Sequence, residues 1–257
     1  MRFKITFQLT EPSRNILPVN YQFELSSWIY KTLSYGSPEF SKFLHESGYL
    51  NKEKKFKLFC FSRLQTAKYR VDGDRMTIQG NEITLIISFL PVEALEPFVC
   101  GLFKGLQFNL GDKKSQVPLR VTTVERIADP EFSGRMAFHL LSSVHLIKPR
   151  PDNPDQVDHL SPEHPDYERL FLLNLAEKYN AYNTPQAFNI TNAKFEVLTK
   201  VKSNVISIKT GTPQESRLKG YLFDFMLTAP VELIKTGYFA GFGKENSQGF
   251  GCGEILN

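Results

Sequence analysis

The chain has 257 residues, room for one large domain or two small ones. Its 41% hydrophobic and 13% aromatic content supports a packed core and excludes a wholly disordered chain. The net charge of +4 is unevenly spread: residues 52–70 hold seven cations against one anion, residues 190–221 hold six against two, and the remainder carries −6. Two basic segments on an acidic body fit a polyanionic partner, because clustered Lys and Arg displace counterions from phosphates; solvated faces and loops are the competing account. No run approaches the roughly 18 apolar residues of a membrane span, and the opening Met1–Phe7 alternates polar and apolar residues where a signal peptide would be uniformly apolar. Three widely spaced cysteines, Cys60, Cys100 and Cys252, fit reduced thiols in a cytoplasm.

In chain order, residues 2–9 alternate as a strand, and Leu25, Trp28, Ile29 and Leu33 form the stripe of a helix. Gly36-Ser37-Pro38 interrupts it and opens a short second helix, with Ser37 as N-cap and Pro38 in the first helical position. Strands are expected at 57–62 and 82–89, a helix over 92–104 and a strand over 117–127. The order then recurs: a long strand over 134–147, a helix from Ser161-Pro162-Glu163 to residue 181, strands at 189–198, 203–210 and 218–228, a short helix over 231–239 and a last strand at 250–256. Strand–helix–strand–strand–helix–strand, twice, is the split βαβ pattern. It predicts an α+β fold of two tandem ferredoxin-like (RRM-like, βαββαβ) domains, 1–128 and 129–257, dividing near Ala128-Asp129-Pro130. RNA-recognition modules share this topology and present an open sheet face to RNA.

Five of the sixteen glycines fall in residues 241–253 as G-x-G-x5-G-x-G-x-G. A P-loop is excluded because Glu245 follows Lys244 where Ser or Thr is required. A dinucleotide fingerprint is excluded because only four residues remain after Gly253 to build a βαβ unit. What is left is a loop whose backbone N–H groups can approach a phosphate, or a tight turn that closes a sheet.

The ending Gly-Tyr-Phe-Ala-Gly-Phe-Gly-Lys-Glu-Asn-Ser-Gln-Gly-Phe-Gly-Cys-Gly-Glu-Ile (237–255) closely resembles that of the CRISPR-associated repeat-RNA endoribonuclease family of the RAMP superfamily. So do Leu-Ser-Pro-Glu-His-Pro-Asp-Tyr-Glu-Arg-Leu (160–170), Leu-Lys-Gly-Tyr-Leu-Phe-Asp-Phe (218–225) and Lys-Leu-Phe-Cys-Phe-Ser (57–62), so that the likeness spans nearly the whole chain. The resemblance implies two tandem ferredoxin-like domains and the cutting of repeats in a long precursor to make guide RNAs. The glycine-rich end is shared with other RNA-binding subunits of CRISPR complexes, which leaves a non-catalytic structural subunit as the alternative. The implied partner is CRISPR repeat RNA, precursor and processed guide, with no cofactor and no membrane; other effector-complex subunits and a homodimer are left open.

RNA carries its own nucleophile: the 2′-hydroxyl attacks the adjacent phosphorus in line, so no metal-bound water is needed. The protein must supply a base, an acid for the leaving 5′-oxygen and a cation for the phosphorane. His45 is the candidate base. It lies about 100° past Leu44 and so off the apolar stripe of Phe40, Phe43 and Leu44; Tyr30 bears the same relation to Ile29. The family's Tyr–His–Lys site maps onto Tyr30, His45 and Lys57: His45 as base, Tyr30 orienting the hydroxyl or acting as acid, and Lys57 stabilising the phosphorane. Lys52, Lys54 and Lys55 are alternative cations.

A second constellation, Asp152, Asp155, Asp158, His159, Glu163, His164 and Asp166, fits neither an EF-hand nor H-E-x-x-H. It reads as a solvated linker and helix start, with Glu163 and Asp166 in the first turn, and no metal is expected. His139 and His145, six apart in one expected strand, would share a face and pack. The stretch Lys219–Met226 partly resembles the aromatic RNA-recognition strand, but lacks its small fourth residue, sixth-position Val and final aromatic. Tyr221, Phe223 and Phe225 would share a strand face, with core packing favoured over base stacking. Phosphate contacts are expected at Lys209, Arg217 and Lys219, and in the glycine-rich loop at Gly241, Gly243, Lys244, Ser247, Gly249 and Gly251.

Overall fold

The computed structural model describes residues 1–153, 156–210 and 213–256. The first half runs β1 (Arg2–Leu9), β2 (Ile16–Pro18), α1 (Gln22–Gly36), α2 (Pro38–Glu46), β3 (Tyr49–Asn51), β4 (Lys54–Phe56), β5 (Phe59–Phe61), β6 (Tyr69–Asp72), β7 (Arg75–Ile78), β8 (Glu82–Phe89), α3 (Leu95–Lys104), β9 (Gln107–Gly111) and β10 (Gln116–Ile127). Its main sheet has the order β5-β8-β1-β10-β9, with β1 antiparallel to β8 and β10. The alternation of β1 turns Phe3, Ile5, Phe7 and Leu9 into a core that they share with Leu25, Ile29 and Leu33 of α1 and with Phe98 and Leu102 of α3. The N-cap of α2 forms as the sequence predicts: the Ser37 side chain accepts from the Phe40 N–H, and Pro38 opens the helix.

The second half runs β11 (Arg135–Leu140), β12 (Ile147–Pro149), β13 (Val157–His159), α4 (Tyr167–Tyr182), β14 (Lys194–Val197), β15 (Lys202–Ile208), β16 (Ser216–Leu222), β17 (Asp224–Thr228), α5 (Val231–Ala240) and β18 (Gly253–Ile255). Its main sheet has the order β14-β17-β11-β18. Both sheets thus carry the 2-3-1-4 order of a split βαβ unit, with β9 added at one edge of the first. The fold is α+β with two tandem ferredoxin-like units. Phe138, Phe171, Phe225 and Phe242 centre the second core. A third cluster, Cys60 and Ile86 with Leu141 and Cys252, covers the other face of the first sheet with the second half of the chain. Arg2, 2% exposed, lies in this seam, donating to Cys252 Sγ at 3.4 Å with its guanidinium 4.4 Å from the Tyr238 ring centroid. At these positions the first sheet is a joint with the second half, not an open RNA-binding face. No helix among the described residues is long and apolar enough to cross a membrane.

Four sequence expectations are corrected. The strand expected over 134–147 ends at Leu140, because the Leu141 and Ser142 N–H groups both turn to the Cys252 carbonyl (2.8 and 3.0 Å), and Val144 then pairs with Tyr221. His139 and His145 therefore share no strand face: His139 is exposed beside Asp224 Oδ1 at 2.6 Å, whereas His145 is buried. The strand expected over 218–228 breaks at Phe223, with β16 in a hairpin with β15 and β17 in the main sheet. The alternation of burial nevertheless runs on through the break, so Tyr221, Phe223 and Phe225 all turn into the second core, the Phe223 and Phe225 rings 5.8 Å apart. Helix α4 begins at Tyr167, not Glu163, because Pro165 disfavours helical backbone at His164; Glu163 precedes the helix and Asp166 is its N-cap residue. Phe43, placed on the stripe of α2, is 38% exposed, and the buried face there is Ser41 and Leu44.

Candidate active site

Tyr30 and His45 come from consecutive helices that Ser37 and Pro38 turn against each other; the Ser41 hydroxyl of α2 donates to the Tyr30 carbonyl at 2.9 Å. The Tyr30 and His45 rings meet edge to face, centroids 5.4 Å apart at 83°. Phe59 backs the tyrosine from β5 with a second edge-to-face contact at 5.6 Å. His45 is exposed and Tyr30 half-buried. Lys57, between β4 and β5, reaches back across the hairpin, and its Nζ donates to the His45 carbonyl at 2.7 Å. Lys55 Nζ donates to the neighbouring Glu46 carbonyl at 3.1 Å, while Lys54 pairs with Glu177 on α4. Burial, aided by Lys55, lowers the Lys57 pKa. Burial raises that of Tyr30 to about 12, opposed by a hydrogen-bonding contact with the Ser247 side chain, so the phenol holds its proton at neutral pH.

Ser247 belongs to the glycine-rich loop, which folds back onto the first half. The Ser26 hydroxyl, one turn ahead of Tyr30, donates to the Ser247 carbonyl at 2.7 Å. The glycines meet a steric demand. Gly251 has φ +73°, and a Cβ there would lie 1.9 Å from the Phe242 carbonyl oxygen. The N–H groups of Gly241, Gly249 and Gly251 donate to the carbonyls of Gly237, Asn246 and Ser143. This corrects the expectation for these three glycines: buried and committed within the protein, their N–H groups do not face a phosphate. Gly243 is buried as well, at φ +71° with its Cβ position 2.5 Å from the His145 carbonyl. Lys244 and Ser247 are the partly exposed members.

Between this loop, the β3–β4 hairpin and α4 lies a cavity of about 350 Å³, lined among others by Lys54, Lys57, Asn174, Lys178, Lys244 and Ser247. Burial and the neighbouring Lys54 lower the Lys244 pKa. Lys178 and Asn246 are site residues that the sequence reading missed. Lys178, 2% exposed, donates from Nζ to the carbonyls of Gly241 and Gly243 and to Asn246 Oδ1, each at 2.6 Å; burial pulls its pKa down to about 7. The available signal was its position on α4: Tyr167, Phe171, Asn174 and Lys178 follow one inward stripe, and a lysine there needs a buried partner.

The other expected RNA contacts lie on the β15–β16 hairpin. Arg217 is exposed beside Glu215 at 3.8 Å, Lys219 reaches over the Tyr221 ring at 5.5 Å, and Lys209, at φ +54°, donates to Gln214 Oε1 at 2.9 Å. In the acidic segment, Asp158 pairs with Arg150 at 2.7 Å and Asp166 with Lys148; Asp155 lies outside the described residues. Among the described residues, no three His, Cys, Asp or Glu side chains gather in a metal-binding arrangement.

Comparison with known proteins identifies the family and the fold. Residues 127–255 match the family described as CRISPR associated protein Cas6, C-terminal, and residues 16–118 match CRISPR-associated protein Cas6, N-terminal. The chain belongs to the Cas6 family. A curated relative, CRISPR-associated endoribonuclease Cas6 1 of Methanocaldococcus jannaschii, is 27% identical over 96% of this chain and 91% of its own length. A solved structure described as a Cas6-related gene from Pyrococcus furiosus superposes with a TM-score of 0.82 at 22% identity, covering 100% of this chain and 98% of the other. Another, described as an RAMP protein binding different RNA substrates, gives 0.81 at 20% identity with full coverage of both chains. These last two likenesses establish the tandem ferredoxin-like fold. In this Cas6-family chain the edge-to-face Tyr30–His45 pair, Lys57 and the loop residue Ser247 come together from opposite ends of the sequence.

Proposed function

We propose that this chain is a metal-independent endoribonuclease that binds CRISPR repeat RNA and cuts precursor transcripts into guide RNAs. In this reading the 2′-hydroxyl attacks the adjacent phosphorus, leaving a 2′,3′-cyclic phosphate and a 5′-hydroxyl. The reading is supported by family membership, by the curated relative's name and above all by the grouping of Tyr30, His45 and Lys57 beside a lysine-lined cavity. His45, exposed to an incoming strand, takes the 2′-hydroxyl proton. Tyr30 keeps its proton and serves as a donor, orienting the hydroxyl or protonating the leaving 5′-oxygen. Lys57, with Lys244 across the cavity, stabilises the charge that develops on the phosphorane. Lys209, Arg217 and Lys219 on the β15–β16 hairpin hold the RNA backbone. The division into 1–128 and 129–257 belongs to the same reading, the first part carrying the acid–base pair and the second the hairpin and glycine-rich loop. A cytoplasmic setting belongs to the same reading and fits the free thiols of Cys60, Cys100 and Cys252.

The test uses purified protein, repeat RNAs from its own genome and EDTA, with a second substrate set carrying one 2′-deoxy substitution at each candidate position. A single cut ending in a cyclic phosphate, blocked by one such substitution, is expected. Tight binding with no cut, even with added divalent metal, would overturn the cleavage reading in favour of a structural subunit.

A further inference from the structure

An ammonium buried without a carboxylate partner is an expensive choice for a helix stripe that a Leu or Met would fill. The three protons of Lys178 are matched one to one by the Gly241 carbonyl, the Gly243 carbonyl and Asn246 Oδ1, each at 2.6 Å. Asn246 in turn donates from Nδ2 to the carbonyls of Phe242 and Phe250, both at 3.0 Å. One node therefore fixes the inward-facing carbonyls from 241 to 250, groups that would otherwise stand unpaired in a dry interior. The residues this node carries on its outer side are Lys244, Glu245 and Ser247, which line the cavity with Lys57; Ser247 also meets the Tyr30 side chain.

We propose that Lys178 is a positioning residue for RNA cleavage: its ammonium sets the path of the glycine-rich loop so that Lys244 and Ser247 face Lys57 and Tyr30. It touches no reacting atom. Its effect passes through the loop, so losing it displaces groups that act on the transition state more than groups that hold the rest of the strand. This inference rests on the endoribonuclease reading above.

The experiment compares single-turnover cleavage of repeat RNA with affinity for the same RNA blocked by a 2′-deoxy substitution, in the wild type, Lys178→Met, Lys178→Gln and Lys178→Ala. Loosening the loop by an ångström predicts a cleavage rate about 100-fold lower in Lys178→Met, with affinity changed far less. Lys178→Gln, which keeps N–H donors, retains more rate than Lys178→Met. Ethylammonium, which brings N–H donors into the vacated space, restores rate to Lys178→Ala, whereas tetramethylammonium, which has none, does not. Should Lys178→Met fail to fold by circular dichroism, the same comparison on Lys178→Gln decides. A folded Lys178→Met or Lys178→Gln that cuts at the wild-type rate, or affinity that falls as far as rate, overturns the proposal while leaving the endoribonuclease standing. A wild type that binds and never cuts overturns both.

Discussion

His145 offers a quantitative test of how the glycine-rich loop is anchored. Its ring is buried, with Nδ1 2.8 Å from the Lys219 carbonyl, so the neutral imidazole donates from Nδ1; its own carbonyl accepts the Lys244 N–H at 2.7 Å. Burial lowers its pKa from 6.5 to about 4; the bond to Lys219 opposes this, and nearby His159 and Lys244 add to it. Because the folded-state value is depressed, the unfolded chain binds the extra proton between these pH values. The contribution is therefore present in full above pH 6.5 and is lost as pH falls towards 4. At 1.36 kcal/mol per unit the full effect is roughly 3 kcal/mol, of which about 2 kcal/mol is lost between pH 7 and 5. His145→Gln keeps a donor for the Lys219 carbonyl and removes the titration. Urea unfolding of both proteins at pH 7 and pH 5 should show the wild type losing about 2 kcal/mol more than the variant, all other groups cancelling in the comparison. Equal losses would refute the assignment of a buried neutral imidazole at this joint.

Other substitutions separate chemistry, binding and fold. His45→Ala should lower the cleavage rate by about 10²–10⁴-fold while leaving most of the RNA affinity, measured by single-turnover cleavage and filter binding; full cleavage would remove His45 from the base role. Tyr30→Phe keeps the edge-to-face packing and loses the hydroxyl with its contact to Ser247, so its rate should fall by less than that of His45→Ala, with a melting temperature lower by no more than about 4 °C. Lys209→Ala with Arg217→Ala should reduce the slope of log affinity against log salt by about 1.4–1.8, since each phosphate contact contributes roughly 0.7 on a single strand and 0.9 on a duplex; an unchanged slope would exclude these two residues from phosphate binding. Gly251→Ala brings a Cβ within 1.9 Å of the Phe242 carbonyl at φ +73°, and should destabilise the fold by about 3 kcal/mol or more in thermal or urea unfolding.

Long periodic elements were legible because one physical constraint acts along their whole length. The β1 alternation and the Leu25–Ile29–Leu33 stripe each answer to a single buried core, and the Ser37-Pro38 cap is a local hydrogen bond. The breaks at Leu140 and Phe223 were not legible, because the partners that cause them, the Cys252 carbonyl and the β11 strand that takes β17 into the main sheet, are distant in sequence. The short strands β2, β3, β4, β6, β7 and β9, each of three to five residues, give too little periodicity to read. Tyr30 and His45 could be picked out as polar tips beside apolar stripes, but the meeting of Tyr30 with Ser247 depends on a contact across more than 200 positions. For Lys178 only its place on the inward stripe of α4 could be read, because two of its three acceptors are backbone carbonyls, which carry no mark in the sequence.

The glycine-rich loop is a close-packed turn on its inner side, and the proposed function gives its outer side to the RNA. Its glycines serve the inner side: positive φ and contacts too close for a Cβ let the loop pack on Phe61, Gln22 and the Phe242 carbonyl. Its carbonyls turn inward to Lys178, and its side chains at 244 and 247 turn towards the cavity. A loop free to wrap a phosphate with its own N–H groups would have to surrender the bonds from Gly241, Gly249 and Gly251 that close it within the second half. Cationic and hydroxyl side chains displayed from a rigid loop avoid that conflict. Charge is thereby presented to a ligand without unmaking the joint that brings the glycine-rich loop to Tyr30 and His45.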